Sequence, residues 1–262
     1  MITVILNCYK RLNYLEEQIQ AIENQTVKPA DIWVWYNNPE DGSQINLNEK
    51  LQGKYKVIQS NHNFKFFGRF ALANLVQTEY VAMFDDDTIP GSNWLENCLN
   101  CIKSGNDGIL GCAGVILNSE YYSGHTKVGW NGEMSPEARE VDLVGHSWFF
   151  NKKHLKYFFM EDPASWENAE DIHFAYMCQK YGKVKSYVPS QTGDLENLGS
   201  LKGFLYGDDQ HSSFVNSSSN NHQSIRDQVV SQLINSGWRS VINSNFSLHN
   251  GFNSSGCGHD HL

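Results

Sequence analysis

The chain has 262 residues, of which 40% are apolar and 19% charged, and it carries a net charge of −9 with a pI near 5.5. The apolar share excludes a disordered chain and suits one domain with a modest appendage. No basic stripe is present, which excludes nucleic acid as a partner, and no apolar run approaches the roughly 20 residues of a membrane span.

Met1-Ile-Thr-Val-Ile-Leu-Asn-Cys8 lacks a basic leader and a cleavage site, so it reads as a first strand over Ile2 to Cys8 rather than a signal peptide. Leu15, Ile19 and Ile22 then recur at helical spacing and predict a helix over Leu12 to Gln25. Asp31 to Tyr36 is a second strand that ends in the turn-prone run from Asn37 to Gly42. A short strand from Tyr55 to Gln59, a helix from Arg69 to Gln77 and an apolar strand from Tyr80 to Phe84 follow. The next helix covers Ser92 to Lys103, and Gly108 to Leu117 reads as one strand. The polar, Gly-rich stretch from Asn118 to Glu140 is expected to pass over an active-site face.

Val141 to Phe150 returns to strand, Ala169 to Tyr181 to helix with Gly182 as its C-cap, and Val184 to Val188 to strand. Strands alternating with helices give an α/β fold with a mostly parallel sheet. After Pro189 the composition turns to Gly, Ser, Asn and Asp as far as Asn221, which predicts a loop or lid. Ile225 to Asn235 predicts a final helix, and the tail from Ser244 is expected to be poorly ordered. The expected division is therefore a main domain over residues 1–215 and a helix with tail over 216–262.

Five of the six cysteines (Cys8, Cys98, Cys101, Cys112, Cys178, Cys257) sit in apolar patterned stretches. They read as reduced thiols in a reducing, cytoplasmic compartment. Cys98-x-x-Cys101 lacks a second pair and falls on a helical pattern, so it reads as packing rather than a zinc site.

The sharpest signal is Tyr80-Val-Ala-Met-Phe-Asp85-Asp86-Asp87, an apolar strand that ends in three carboxylates. Ligand sites in open α/β sheets lie at the carboxyl ends of strands. Strand alternation puts Asp85 and Asp87 on one side and Asp86 on the other. Two carboxylates on one side suit a hard divalent cation that bridges to diphosphate oxygens. Glu170-Asp171 opens a helix, where Asn168 or a neighbour would be the cap and the helix dipole favours acids. Facing a cleft, Asp171 would instead take a proton from an attacking hydroxyl, with Glu170 the next candidate. Arg69, with Lys10 or Arg11, suits diphosphate oxygens. Gly145-His146-Ser147-Trp148 is placed to line a pocket, and Trp130 and Trp166 to stack on sugar faces.

The strand with its Asp85-Asp86-Asp87 resembles the Asp-x-Asp motif of GT-A glycosyltransferases. Val4-Ile-Leu-Asn7-Cys-Tyr9-Lys-Arg11 resembles the first strand and turn of these enzymes, where the base binds. Asn61-His-Asn63-Phe-Lys-Phe-Phe-Gly-Arg69 resembles the segment that reaches the nucleotide. Trp166-Glu-Asn-Ala-Glu170-Asp171 resembles the Glu-Asp helix start near the acceptor. The resemblance covers residues 1–210 and is closest to the family-two-like and exostosin-like branches.

It implies a GT-A fold and transfer of a sugar from a nucleoside-diphosphate donor, by default uridine diphosphate, to a carbohydrate or other hydroxyl acceptor. It implies Mn2+ or Mg2+ on Asp87 and Asp85, with His211 as a late ligand, and donor contacts from Asn7, Tyr9, Arg11, Asn37, Asn63, Arg69, Asp85 and Asp86. It leaves two roles open for Asp171: catalytic base, or stabiliser of an oxocarbenium-like state. A sugar nucleotidyltransferase is the rival enzyme, disfavoured because Asn7-Cys-Tyr-Lys-Arg11 has no phosphate-loop glycine. An inactive sugar-binding domain is the rival outside catalysis.

Overall fold

A computed structural model describes residues 1–38, 46–130, 132–200, 206–207 and 219–243. In chain order it has β1 (Ile2–Cys8), α1 (Leu15–Glu23), β2 (Asp31–Tyr36), α2 (Leu47–Lys50), β3 (Lys56–Gln59), α3 (Gly68–Ala73), β4 (Tyr80–Phe84) and α4 (Trp94–Lys103). Then come β5 (Ile109–Leu110), β6 (Ala113–Ile116), β7 (Thr126–Gly129), β8 (Arg139–Val141), β9 (Leu143–Gly145), β10 (Ser147–Asn151) and α5 (Leu155–Phe158). The described chain ends with α6 (Glu170–Met177), β11 (Ser186–Val188), α7 (Leu195–Leu198) and α8 (Ser219–Asn235).

Eight strands form one sheet in the order β3-β2-β1-β4-β10-β5-β11-β8. The β3-β2-β1-β4 half is parallel, so its strands deliver their carboxyl ends to one edge. β10 runs antiparallel to β4, with Ser147 opposite Phe84. A second sheet, β7-β6-β9, is antiparallel throughout.

Side-chain alternation sends each central strand into two cores. Ile5, Val81, Met83, Trp148 and Phe150 enter one, with Phe70, Leu155, Phe158 and Phe174 from α3, α5 and α6. Val4, Leu6, Ala82, Phe84 and Phe149 enter the other, with Leu15, Ile19, Ile22, Trp94 and Cys98 from α1 and α4. A third core joins α6 to α8 through Ile172, Tyr176, Val229, Val230, Leu233 and Trp238.

Several expected elements are shorter or broken. The first helix starts at Leu15 rather than Leu12, the third strand at Lys56, the Arg69 helix stops at Ala73, and the next begins at Trp94. The single strand expected over Gly108 to Leu117 is two strands, β5 and β6, in different sheets. Val141 to Phe150 is likewise broken: β8 ends at Val141, β9 follows Asp142, and β10 begins after His146, whose φ is 63°. The stretch expected as an excursion carries β7, paired along β6.

The left-handed residue that ends the α6 region is Lys183, φ 53°, after a π-turn, and not Gly182. Gly182 faces the Tyr157 ring, where a Cβ would come within 2.4 Å. Asn168 is not the cap of α6; that position is Ala169, φ 73°, and it makes no side-chain cap bond. The final helix begins at Ser219 rather than Ile225. The five described cysteines are buried free thiols, and burial pushes Cys101 up to about 11.

Phe70 is fully buried, stacked on Phe158 at 4.4 Å and edge-on to Phe174 at 5.2 Å. Its loss would leave a cavity that the ring cluster cannot fill. Phe70→Ala is expected to destabilise the fold by about 3–5 kcal/mol in denaturant titration, whereas Leu75→Ala, at an exposed position, should change it little.

Candidate active site

The parallel edge sets the site. Asp85 to Asp87 follow β4, and Asp85 N–H donates to the carbonyl of His146 at 3.0 Å, because β10 starts beside the end of β4. A donor atom from each of Asp85, Asp87 and His146 lies within 4.8 Å of the others. Asp86 turns away and accepts from Arg11 at 2.8 Å, and Arg11 also reaches Asp87 at 3.4 Å.

Asp86 and Asp87 are largely buried and Asp85 is partly exposed, and the arginines answer them. Arg69, on the first turn of α3, is 3% exposed; it donates to Asp85 and, at 2.9 Å, to Glu170. The Arg69 guanidinium also stacks over Trp148 at 4.4 Å. Burial, then Asp85 and Asp86, push the Asp87 carboxyl up to about 7 against the pull of Arg11. Burial, then Asp171, push Glu170 up to about 7, opposed by Arg69.

The residues present suit a hard divalent cation. Two carboxylates and an imidazole converge, and burial holds His146 below its usual range, in the neutral form that coordinates metal. The buried His146 Nδ1 has no hydrogen-bond partner among the described residues. Gly207 lies so close to Asp87 that a Cβ there would sit 2.7 Å from Oδ2, and its carbonyl accepts from Arg11 at 3.5 Å. Tyr206 beside it stacks on Tyr14 at 3.9 Å and donates to Glu17 at 2.8 Å, which ties this segment to α1. His211 lies outside the described residues.

Asp171 sits at the start of α6 against Gly145, the neighbour of His146; a Cβ on Gly145 would stand 4.0 Å from Asp171 Oδ2. Arg226 of α8 grips it with both guanidinium nitrogens, at 3.0 Å to Oδ1 and 2.7 Å to Oδ2. The Arg226 guanidinium also covers the Tyr122 ring at 4.1 Å. Next to the pair, Asn168 lies 3.4 Å from His222. Each acid of the first turn thus has its own arginine, Arg69 for Glu170 and Arg226 for Asp171.

The expected base-binding residues form a connected network at the ends of β1 and β2. Asn37 donates to Asn63 at 3.0 Å, Asn63 donates to the Tyr9 hydroxyl at 3.2 Å, and Asn37 accepts from Phe64 N–H at 2.8 Å. Both amide atoms of Asn7 are buried and without a partner among the described residues. Lys10 is exposed, over the Tyr9 ring at 5.2 Å, so Arg11 is the cation that enters the cleft. Trp130 packs edge-on to His146 at 5.2 Å, while Trp166 is 59% exposed and tilts against Phe67.

Sequence reasoning missed Arg226 and assigned His146 only to a pocket wall. Arg226 had a signal: it stands at the apolar stripe of its helix, with Val229, Val230 and Leu233 at i+3, i+4 and i+7. A lone arginine on a buried face needs a buried acid. His146 had no such signal, because its role depends on the antiparallel placement of β10.

Removing Arg69 leaves the buried Glu170 and the partly exposed Asp85 unanswered. Arg69→Met is expected to destabilise the fold by about 3–5 kcal/mol at neutral pH. Glu170 adds a pH signature. Its folded value lies above the ordinary 4.5, so the stability it contributes is full below about 4.5 and is lost as pH rises through about 7. Glu170→Gln should therefore gain on the wild type, in melting temperature, as pH rises from 4.5 to 7. A difference independent of pH would overturn this reading.

Three comparisons bear on the chain as a whole. The family model described as "Glycosyl transferase family 2" matches residues 3–163. A Haemophilus influenzae protein named "Uncharacterized glycosyltransferase" is 28% identical over 112 residues, which is 42% of this chain and 34% of that protein. A solved structure titled "Crystal structure of GalNAc-T7 with UDP, GalNAc and Mn2+" superposes with a TM-score of 0.58 at 11% identity, covering 72% of this chain and 41% of that one. The chain thus spans well under half the length of each of these relatives. The likeness to the solved structure shows the fold, an α/β GT-A architecture with a large, mostly parallel sheet flanked by helices. With more than half its length matched by the family model, the chain belongs to glycosyl transferase family 2.

Proposed function

We propose that this protein is a metal-dependent glycosyltransferase that moves a sugar from a nucleoside-diphosphate donor to a hydroxyl of a carbohydrate acceptor. The observation that carries this reading is the convergence of Asp85, Asp87 and His146 at the end of β4, one residue from the backbone that borders Asp171. Uridine diphosphate is the proposed nucleotide and Mn2+ the proposed ion, with Mg2+ as the alternative. The related solved structure holds UDP and Mn2+.

Asp85, Asp87 and His146 would hold the ion, which when bound supplies positive charge to the leaving diphosphate. Charge balance supports this. The cleft holds five acids (Asp85, Asp86, Asp87, Glu170, Asp171) against three guanidiniums (Arg11, Arg69, Arg226), and a divalent cation would favour the ionised form of Asp87, which burial and its acidic neighbours push up to about 7. Asn7, Tyr9, Asn37 and Asn63 are the proposed contacts of the nucleoside, and Arg11 of the diphosphate.

Asp171 is the proposed base. A carboxylate has about four lone-pair sites. Arg226 takes one on each oxygen, and Ile172 N–H takes the second on Oδ1 at 2.8 Å. The second site on Oδ2, toward Gly145, is left for the acceptor hydroxyl. As that oxygen bonds to the anomeric carbon, its proton passes to Oδ2, and the bond from the anomeric carbon to the diphosphate oxygen breaks. Arg226 positions the carboxylate, and Glu170 positions Arg69 against Asp85.

Manganese binding tests the metal site directly. By titration calorimetry with Mn2+ alone, Asp87→Asn and His146→Gln are expected to lose binding and Asp86→Asn to keep most of it. Equal binding in all three would remove the site.

Transfer from a panel of UDP-sugars tests the base. Asp171→Asn should lower turnover by about two to four orders of magnitude with donor affinity unchanged. Near wild-type transfer would leave Glu170 as the candidate. Arg226→Ala should also lower turnover, and millimolar guanidinium should restore part of it. A purely structural arginine predicts lost stability without such rescue.

A further inference from the structure

The outer face of α8 carries a groove of about 560 Å³ that the proposed chemistry does not use. It is lined by Tyr121 and by α8 residues that include Gln223, Asp227, Gln228, Gln232 and Asn235. The α8 positions 223/224, 227/228, 231/232 and 235 repeat every four residues, so they form one stripe, and at a rise of 1.5 Å per residue the stripe is about 18 Å long. That length suits a chain of sugar rings rather than one ring. The volume falls within the usual range of ligand sites, about 300–1,000 Å³.

The side chains define the ligand. A solvated helix face normally mixes lysine and glutamate; this one carries amides and hydroxyls, with Asp227 as its one charged residue. Among the described residues that line it there is no cation to hold a phosphate or a nucleic acid and no aliphatic side chain to seat an apolar helix. Amides and hydroxyls that both donate and accept, beside a ring that is 53% exposed, match a neutral oligosaccharide.

The groove wall is organised in advance. Asp227 accepts from the Ser123 backbone and hydroxyl, both at 2.6 Å, and Gln223 donates to the same hydroxyl at 2.9 Å. These bonds clamp the loop that presents Tyr121 onto α8. The next residue, Tyr122, lies under Arg226, which holds Asp171. One loop and one helix thus bound both the groove and the proposed base.

We infer that this face of α8, with Tyr121, is a docking groove for a neutral oligosaccharide, the extended part of the acceptor. As an acceptor subsite it rests on the glycosyl-transfer reading above; as a binding site it does not. The test measures binding without donor. Immobilised neutral oligosaccharides and their monosaccharides are probed with the wild-type chain, Tyr121→Ala, the double variant Gln228→Ala/Gln232→Ala and the exposed-site control Leu75→Ala, which lies outside the groove. At least one oligosaccharide should be retained by the wild type over its monosaccharide. Tyr121→Ala should bind it about tenfold more weakly, the double variant should also be weakened, and Leu75→Ala should bind as the wild type does. No retained oligosaccharide, or equal retention by wild type and Tyr121→Ala, overturns the groove. Retention without any transfer activity keeps the groove and overturns the catalytic reading instead.

Discussion

Everything in the cleft depends on how its buried acids are neutralised. Arg69 is the centre of that arrangement, since it joins Asp85 at the end of β4 to Glu170 at the start of α6. Its guanidinium is held from above by Trp148 of β10 and carried by α3, so four elements of the main core converge on one charge. A buried cation with two carboxylates fixes the distance between the two halves of the site more firmly than apolar packing, because sliding either half would strand a charge. Arg11 does the same for Asp86 on the other side of the motif, and Arg226 for Asp171. The acids of the cleft outnumber its arginines, and Asp85 and Asp87 are where His146 brings a neutral donor.

The outline of this arrangement was legible in the sequence because its signals are local. An apolar strand running into Asp85-Asp86-Asp87 marks the carboxyl end of a buried strand wherever the rest of the chain goes. The helical spacing of Leu15, Ile19 and Ile22 marks α1 equally well, and alternation along β1 and β4 fits the two cores on either side of the sheet. What sequence could not supply was pairing over distance. Gly108 to Leu117 looks like one strand, yet it changes sheets between Leu110 and Ala113. His146 meets Asp85 only because β10 runs antiparallel beside β4, and a left-handed residue there has no glycine to announce it. From sequence Asp171 reads either as a helix-dipole acid or as a base, and no local signal showed that Arg226 of α8 holds it.

Arg226 also changes what counts as the working unit. The family match ends at residue 163, before α6, yet Asp171 and its counter-ion lie beyond it. α8 joins α6 through Val229, Val230, Leu233 and Trp238, and Tyr176 donates its hydroxyl to the carbonyl of Ser236 at 3.0 Å. The helix is therefore packed onto α6 beside Asp171, and Arg226 is placed by the same apolar stripe that fastens it.

That placement explains how one helix can serve two purposes without conflict. Its apolar stripe and Arg226 face inward, and its amide-rich face points outward. A residue on the outer face can change without disturbing the Asp171 pair, because side chains three to four residues apart share a face while immediate neighbours do not. The inner face is constrained by the need to answer a buried acid, and the outer face only by what it touches in solution. Variation in the outer stripe would then alter which acceptor is held while the chemistry stays fixed. The residues proposed to contact the donor, by contrast, are locked into the parallel edge of the sheet, where Asn37, Asn63 and Tyr9 hold one another. On this proposal the donor side is set by the fold itself, and the acceptor side by one helix face and the loop clamped to it.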